Sequence, residues 1–123
     1  MNEKKITGEI GEQHAVDHLR GKGYKILDLN WQCKHKEIDI IASNDKYLVI
    51  VEVKARTAPY LTEPEDAVTI KKQKFLIQAA NEYIRIKNID IETRFDIITV
   101  IFSGKTVLID HIEDAFSPRV RNR

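Results

Sequence analysis

The stretch from residue 37 to residue 54 constrains the fold most, because it has the pattern of two strands joined by a tight turn. It consists of Glu-Ile-Asp-Ile-Ile-Ala, the polar tetrad Ser-Asn-Asp-Lys, and then Tyr-Leu-Val-Ile-Val-Glu-Val-Lys. β-Branched and aromatic residues on both sides of the tetrad favour pleated strands, and the tetrad tolerates the positive φ angles of a hairpin loop. We therefore predict a β-hairpin with its turn at residues 43–46.

Three charged residues interrupt this apolar hairpin: Asp39, Glu52 and Lys54. Because side chains alternate between the two faces of a strand, Glu52 and Lys54 point the same way, beyond the stripe formed by Leu48 and Ile50. Carboxylates are hard ligands that suit Mg²⁺ or Mn²⁺, and a partly buried lysine can face a phosphate oxygen or an attacking water. The set fits metal-assisted phosphodiester hydrolysis, and the alternative is a structural ion pair of Lys54 with Glu52 or Asp39.

Length and composition fit one soluble globular domain at residues 1–123, with 42% hydrophobic and 32% charged residues. The apolar runs are shorter than the ~20 residues that span a bilayer, and the N-terminus lacks a signal-peptide pattern. A single cysteine, Cys33, excludes an internal disulfide and a multi-cysteine zinc site. We expect a cytoplasmic protein without a membrane partner.

The net charge of +1 argues against a general polyanion binder, but the basic residues are clustered. They gather at residues 34–36, 71–74 and 119–123. Such clusters supply phosphate contacts if they converge in space, and otherwise they are solvated faces. Arg56, which would share the strand face of Lys54, and the helix residues Lys71 and Lys74 are the candidates for nucleic-acid contact.

Hydrophobic periodicity predicts a helix at residues 3–20 and a second helix at residues 65–87, which starts after Pro64 and stops at Asn88. Strands are predicted at residues 24–31, 94–102 and 106–112, in addition to the hairpin. The tail from about residue 117 is expected to be frayed.

Several polar and aromatic residues have ordinary structural interpretations on their own. On the first helix, Glu9 and Glu12 have the spacing of helix-surface charges, and His14 and His18 are expected to be surface histidines. Trp31, at the end of the first strand, is expected to pack over the sheet.

Five short motifs, taken in order, resemble the YraN family of small bacterial proteins, which is related to archaeal Holliday-junction resolvases. They are Gly8-Glu9-Ile10-Gly11-Glu12, Glu37-Ile38-Asp39, Val51-Glu52-Val53-Lys54-Ala55-Arg56, Arg94-Phe95-Asp96 and His111-Ile112-Glu113-Asp114-Ala115-Phe116. The element order and the spacing Asp39…Glu52-Val53-Lys54 also resemble the restriction-endonuclease-like core. The resemblance implies an α/β fold in which helices flank a mixed β-sheet, in the order α-β-β-β-α-β-β.

The same resemblance implies roles for individual residues. Asp39 and Glu52 would ligate Mg²⁺ or Mn²⁺ with help from the Val53 carbonyl, and Lys54 would position water or stabilise the transition state. Glu12 becomes an acidic member of the site rather than a surface charge. The chain departs from the family pattern at Ile38, where the superfamily motif has proline, and at Lys36, where glycine is more frequent.

These observations predict a metal-dependent DNA endonuclease, with selectivity for branched DNA as the finer expectation. The alternative from another class is a catalytically silent nucleic-acid-binding or protein-interaction module with the same fold. Binding is expected to be weak, salt-dependent and indifferent to sequence, since no recognition helix is evident. A resolvase cuts two strands as a symmetric dimer, so a homodimer is a further expectation.

Overall fold

The computed structural model describes residues 3–59 and 68–118, with side chains from residue 7 onward. Its elements are α1 Glu3–Gly21, β1 Lys25–Cys33, β2 Lys36–Ser43, β3 Tyr47–Thr57, α2 Ile70–Lys87, β4 Glu92–Ser103 and β5 Thr106–Phe116. This confirms the predicted α/β fold and the order α-β-β-β-α-β-β.

The five strands form one mixed sheet in the order β1-β2-β3-β4-β5. Neighbouring strands are antiparallel except β3 and β4, which run parallel in register from Tyr47–Glu92 to Thr57–Phe102. A parallel pair needs a crossover connection, and α2 lies within that connection. The central strand β3 therefore has hydrogen-bonded neighbours on both sides.

The two helices cover opposite faces of the sheet, which gives the domain two apolar clusters. Residues of α1 pack with Val49 and Val51 of β3, while residues of α2 pack with Leu48 and Ile50. The helical contributions are Ala15, Val16 and Leu19 from α1 and Leu76, Ala79, Ala80 and Tyr83 from α2. β3 thus alternates between two buried faces, as the hairpin pattern predicts.

The second helix starts later than the sequence pattern predicts. Thr69 has an extended backbone, with φ −64° and ψ 158°, and its hydroxyl accepts a hydrogen bond from the Lys72 N–H, so it caps a helix that begins at Ile70. The predicted start at residue 65 is therefore wrong, because Val68 and Thr69 are not helical. Pro64 lies outside the described residues. The predicted end is confirmed, since Asn88 adopts the left-handed conformation of a C-cap, with φ 53°.

Other differences concern the edges of the core. Three large apolar residues of α1, β1 and α2, namely Ile10, Leu29 and Ile70, are 46%, 45% and 57% exposed. The last strand continues to Phe116 because its ring stacks on Phe95, so the predicted end at residue 112 is too early. Of the tail, Ser117 and Pro118 are exposed, and residues 119–123 lie outside the described part.

Two further sequence expectations can be compared with the structure. Trp31 packs edge-on against Tyr83 with 5.2 Å between ring centroids, which confirms that it packs against the core. Among the described residues, no helix has the length and apolar character needed to cross a membrane.

Candidate active site

The first feature of the site is the position of Asp39, directly beyond the paired part of β2 and β3. The register of these strands runs from Ser43–Leu48 to Ile40–Val51. The Val53 N–H donates a 2.8 Å hydrogen bond to Asp39 Oδ2. A backbone N–H of β3 is therefore paired with a side-chain oxygen, and this hydrogen bond holds the Asp39 carboxylate against that strand.

Glu52 provides the second carboxylate and is the least satisfied polar side chain in the described part of the chain. Its Oε1 is buried and accepts no hydrogen bond from any described residue, and the Lys72 Nζ lies 3.8 Å away. Buried carboxylate oxygens normally accept hydrogen bonds, and leaving one without a donor costs folding free energy. The unsatisfied oxygen marks a position where a cationic ligand would be stabilised.

Glu12 reaches the same region from α1, because that helix lies very close to β3. A Cβ atom at Gly11 would stand only 3.0 Å from the Ala55 Cβ, so glycine permits this approach. Glu12 accepts a 2.8 Å hydrogen bond from Asn30 Nδ2. Glu12 and Asp39 line one cavity of about 430 Å³, whose lining also includes Glu9, Asn30 and Glu37.

The pKa shifts of these three carboxylates indicate that the site lacks a positive charge. Burial raises the pKa of Asp39, although the hydrogen bond from Val53 opposes the rise. Burial likewise raises the pKa of Glu52, and the Asp39 charge raises it further, against the effects of Lys72 and Lys54. Burial is also the main cause of the raised pKa of Glu12, and Asn30 opposes it while Asp39 adds to it. A bound cation would favour the ionised form of all three carboxylates and so lower their pKa values.

The donor set can be tested against the metal that the resemblance implies. Carboxylate and backbone carbonyl oxygens are the ligands of Mg²⁺ and Mn²⁺, and Glu52 Oε1 is a buried oxygen without a hydrogen bond. Within residues 3–59 and 68–118, no group of three or more Asp, Glu, His or Cys side chains is arranged to hold one ion. Two carboxylates, Asp39 and Glu52, therefore have the chemistry to hold such an ion with open positions, and the contributions of the Val53 carbonyl and of Glu12 stay predictions.

The predicted basic residues are distributed unevenly around the site. Lys54 is half-buried on β3 and lowers the pKa of Glu52, so it stands beside that carboxylate as the strand alternation predicts. Arg56 is half-buried and donates a 2.9 Å hydrogen bond to the Ala55 carbonyl. Lys71 and Lys74 are exposed on α2, and their contact with nucleic acid stays a prediction.

The lysine that contacts the site from α2 is Lys72, which the sequence interpretation did not select from its cluster. Its ammonium group lies 3.8 Å from Glu52 Oε1, and it also lowers the pKa of Asp39. Lys72 lies four residues before the buried Leu76 and so shares the inner face of α2. That spacing was the available signal, because Leu76, Ala79, Ala80 and Tyr83 form the buried face of α2.

A second polar cluster lies in the described structure around Asp96, for which the sequence motifs gave no role. Asp96 is 1% exposed and accepts hydrogen bonds from Arg94 at 2.9 and 2.8 Å, from His111 at 2.8 Å and from the Asp114 N–H at 3.0 Å. His18 lies 3.1 Å from His111 Nδ1, between ring nitrogens. His18 is therefore partly buried rather than a free surface residue, because its ring contacts His111 of β5.

His14 also departs from the expectation of a surface residue. It is half-buried, and its ring meets the edge of Phe102 at 5.9 Å between centroids.

Comparisons with known proteins agree with the motifs. A family model described as "Uncharacterised protein family UPF0102" matches residues 11–100. A UPF0102 protein of Parabacteroides distasonis is 48% identical over 116 residues, covering 94% of this chain and 96% of that protein. UPF0102 proteins of Porphyromonas gingivalis and Flavobacterium psychrophilum are each 45% identical over 94% of this chain, covering 87% and 98% of their own lengths. The chain therefore belongs to the UPF0102 family, the YraN family that the motifs predicted.

Proposed function

We propose that this protein is a divalent-metal-dependent endonuclease that hydrolyses phosphodiester bonds in DNA. The observation that carries the proposal is the buried Glu52 Oε1, which has no hydrogen-bond donor among the described residues and lies beside Asp39, whose pKa is also raised. A site that only stabilised the fold would provide donors for that oxygen. Mg²⁺ or Mn²⁺ is the class of ligand that fits it.

The residues have separate tasks in the proposed reaction. The Val53 N–H holds Oδ2 of Asp39 against β3, and Oδ1 is the atom that would ligate the cation. A divalent cation held here would polarise the phosphate and lower the pKa of a water molecule. Lys54 keeps a positive charge beside Glu52, where negative charge develops on the phosphate. Glu12 adds negative charge on the α1 side and can accept a proton, since its pKa is raised.

A cleavage panel tests this proposal directly. Wild type, Glu52→Gln and the matched control Glu92→Gln are incubated with single-stranded, flapped, four-way and duplex DNA in Mn²⁺, in Mg²⁺ and in a chelator. Glu92 is an exposed residue at the first position of β4, so its substitution makes the same chemical change far from the site. We expect metal-dependent cleavage by wild type and by Glu92→Gln, and a loss of orders of magnitude in Glu52→Gln.

The same panel tests the finer prediction of selectivity for branched DNA, by the ratio of cleavage rates on four-way and duplex substrates. Absence of cleavage on every substrate with either metal would contradict the endonuclease proposal. Sedimentation velocity with and without four-way DNA tests the proposed homodimer, which places two sites on one junction.

The rival proposal is a catalytically silent module that binds nucleic acid or a protein. The ion pair of Lys72 with Glu52 favours it, because a lysine can take the place of a metal ion at a degenerate site. Calorimetric titration with Mn²⁺ separates the two proposals. Binding that disappears in Asp39→Ala supports the nuclease, and absence of binding supports the silent module.

A further inference from the structure

A groove lies where the β1–β2 hairpin meets α2, and aromatic rings and lysines line it. The hairpin–α2 groove is defined by Trp31, Lys34, Lys36, Lys72 and Phe75. Trp31, Lys34 and Phe75 line a cavity of about 720 Å³, which is within the roughly 300–1,000 Å³ typical of ligand sites. Around the Phe75 ring, the Lys36 and Lys72 ammonium groups lie 4.9 and 5.8 Å from the centroid.

The aromatic rings of this groove pack against the core of the domain. Trp31 is half-buried with its edge against Tyr83, and Phe75 is half-buried against the apolar cluster under α2. Rings that are held by a core but remain partly exposed lose little conformational entropy on binding. They provide a surface on which a flat apolar group can stack.

The charge of the groove favours an anion. Glu82 also lines the cavity, but its carboxylate is paired with Arg85 at 2.6 Å. Lys34 lines the cavity, and the ammonium groups of Lys36 and Lys72 reach the Phe75 ring. Lysines beside exposed aromatic rings match a chain that alternates phosphates with bases.

Lys72 connects this groove to the carboxylates. Its ammonium group lies 3.8 Å from Glu52 Oε1 and 5.8 Å from the Phe75 centroid. A phosphate drawn to Lys72 from the groove would therefore arrive beside Glu52. Lys72 therefore links the groove to Glu52.

We propose that the hairpin–α2 groove binds single-stranded DNA and delivers it to the carboxylate site, an inference that rests on the proposed endonuclease function. Lys36 and Lys72 contact phosphates, and Trp31 and Phe75 stack on bases. Single-stranded rather than duplex DNA is the ligand, because bases inside a duplex have no free faces to stack on these rings. The preferred substrate would be DNA with an unpaired segment, such as a flap.

The test measures binding without cleavage. A fluorescein-labelled oligo(dT) and a duplex of equal length are titrated with protein in EDTA, and anisotropy is followed at several salt concentrations. We expect tighter binding of oligo(dT), a loss of about tenfold in Phe75→Leu, and retention in Phe75→Tyr, which keeps the aromatic face. Lys36→Gln is expected to weaken binding and to lower the salt slope by about one.

Lys46→Gln is the matched control, because Lys46 is exposed in the hairpin turn at the other end of β3 and loses the same charge. Equal effects of Lys36→Gln and Lys46→Gln, or equal affinity for duplex and oligo(dT), would overturn the groove assignment. Lys36→Gln keeps the test valid if Phe75→Leu lowers the melting temperature. Since binding in EDTA requires no metal, failure of the groove is distinguishable from failure of the nuclease, which the cleavage panel reports.

Discussion

Glu52 and Asp96 lie on the adjacent strands β3 and β4, but their side chains differ in how many hydrogen-bond donors surround them. Asp96 is almost fully buried and accepts four hydrogen bonds, two of them from Arg94. Glu52 has a buried oxygen without a donor and a lysine at 3.8 Å. The strands are paired in register, with Val51 opposite Asp96, so the same sheet produces both environments.

The pKa values follow this difference. Burial opposes ionisation of Asp96, but the hydrogen bonds from His111 and Arg94 outweigh it and lower its pKa. At Glu52 burial is not compensated, and the pKa is raised. Because an ionised carboxylate can only accept, His111 Nε2 carries the proton toward Asp96. We conclude that Asp96 is a structural carboxylate with its partners in place, whereas Glu52 has the properties of a ligand that awaits one.

The largest stability effect is expected at Asp96. Asp96→Asn removes the charge that compensates Arg94, whose side chain is largely buried. Breaking a buried ion pair in this way costs roughly 3–5 kcal/mol. Urea denaturation at neutral pH measures the free energy of unfolding. A loss below about 1 kcal/mol, as for an exposed pair, would remove the distinction between the two carboxylates.

The second prediction concerns Glu52 with and without metal. Without metal, Glu52→Gln relieves repulsion with Asp39, so the free energy of unfolding should stay within about 1 kcal/mol of wild type. With Mn²⁺ at about 100 times its Kd, wild type should gain about 2.7 kcal/mol. The variant should lose most of this gain. A large metal-free loss in Glu52→Gln, with no Mn²⁺ effect on wild type, would make Glu52 a structural residue like Asp96.

The dependence of stability on pH should have opposite signs at the two carboxylates. The folded-state pKa of Asp96 lies below its ordinary value of 3.8, so its stabilisation is complete above that pH and is lost as the pH falls through the folded-state pKa. The cost of Asp96→Asn should therefore shrink below pH 3.8. In EDTA, Glu52 has a pKa raised above 4.5, so its ionisation costs stability as the pH rises through that window.

Urea titrations of wild type and both variants at several pH values between 3 and 7 measure this difference. A cost of Asp96→Asn that stayed constant below pH 3.8 would show that the Asp96 charge does not provide its stabilisation. Glu52→Gln should be most favourable, relative to wild type, at the upper end of the range.

The contrast between the two carboxylates also marks what the sequence could predict. The hairpin and the shared face of Glu52 and Lys54 follow from local rules, since β-branched residues and a period of two are enough. The low solvation of Glu52 and the full satisfaction of Asp96 depend on side chains distant in sequence, such as Lys72 and His111. Spacing within one element does not reveal such partners.

Competing local signals explain the remaining errors. Pro64 and the acidic residues after it favour a helix start at residue 65, but Thr69 has the capping hydroxyl, and the helix starts at Ile70. His18 was assigned to the surface because its partner, His111, is provided by the last strand.

The smallest effect on stability is expected at Lys72, and it tests the comparison of Glu52 with Asp96 most directly. Lys72 is 36% exposed at its side chain, and its 3.8 Å distance to Glu52 exceeds that of a hydrogen-bonded pair, so Lys72→Gln should cost less than about 1 kcal/mol in EDTA. It also removes a cation that competes with metal for Glu52. Mn²⁺ affinity should therefore stay equal or increase, measured by calorimetry beside Lys71→Gln, which removes an exposed lysine one residue away. A loss of several kcal/mol with weaker Mn²⁺ binding would mean that Lys72 compensates Glu52 as Arg94 compensates Asp96, and that both carboxylates are structural.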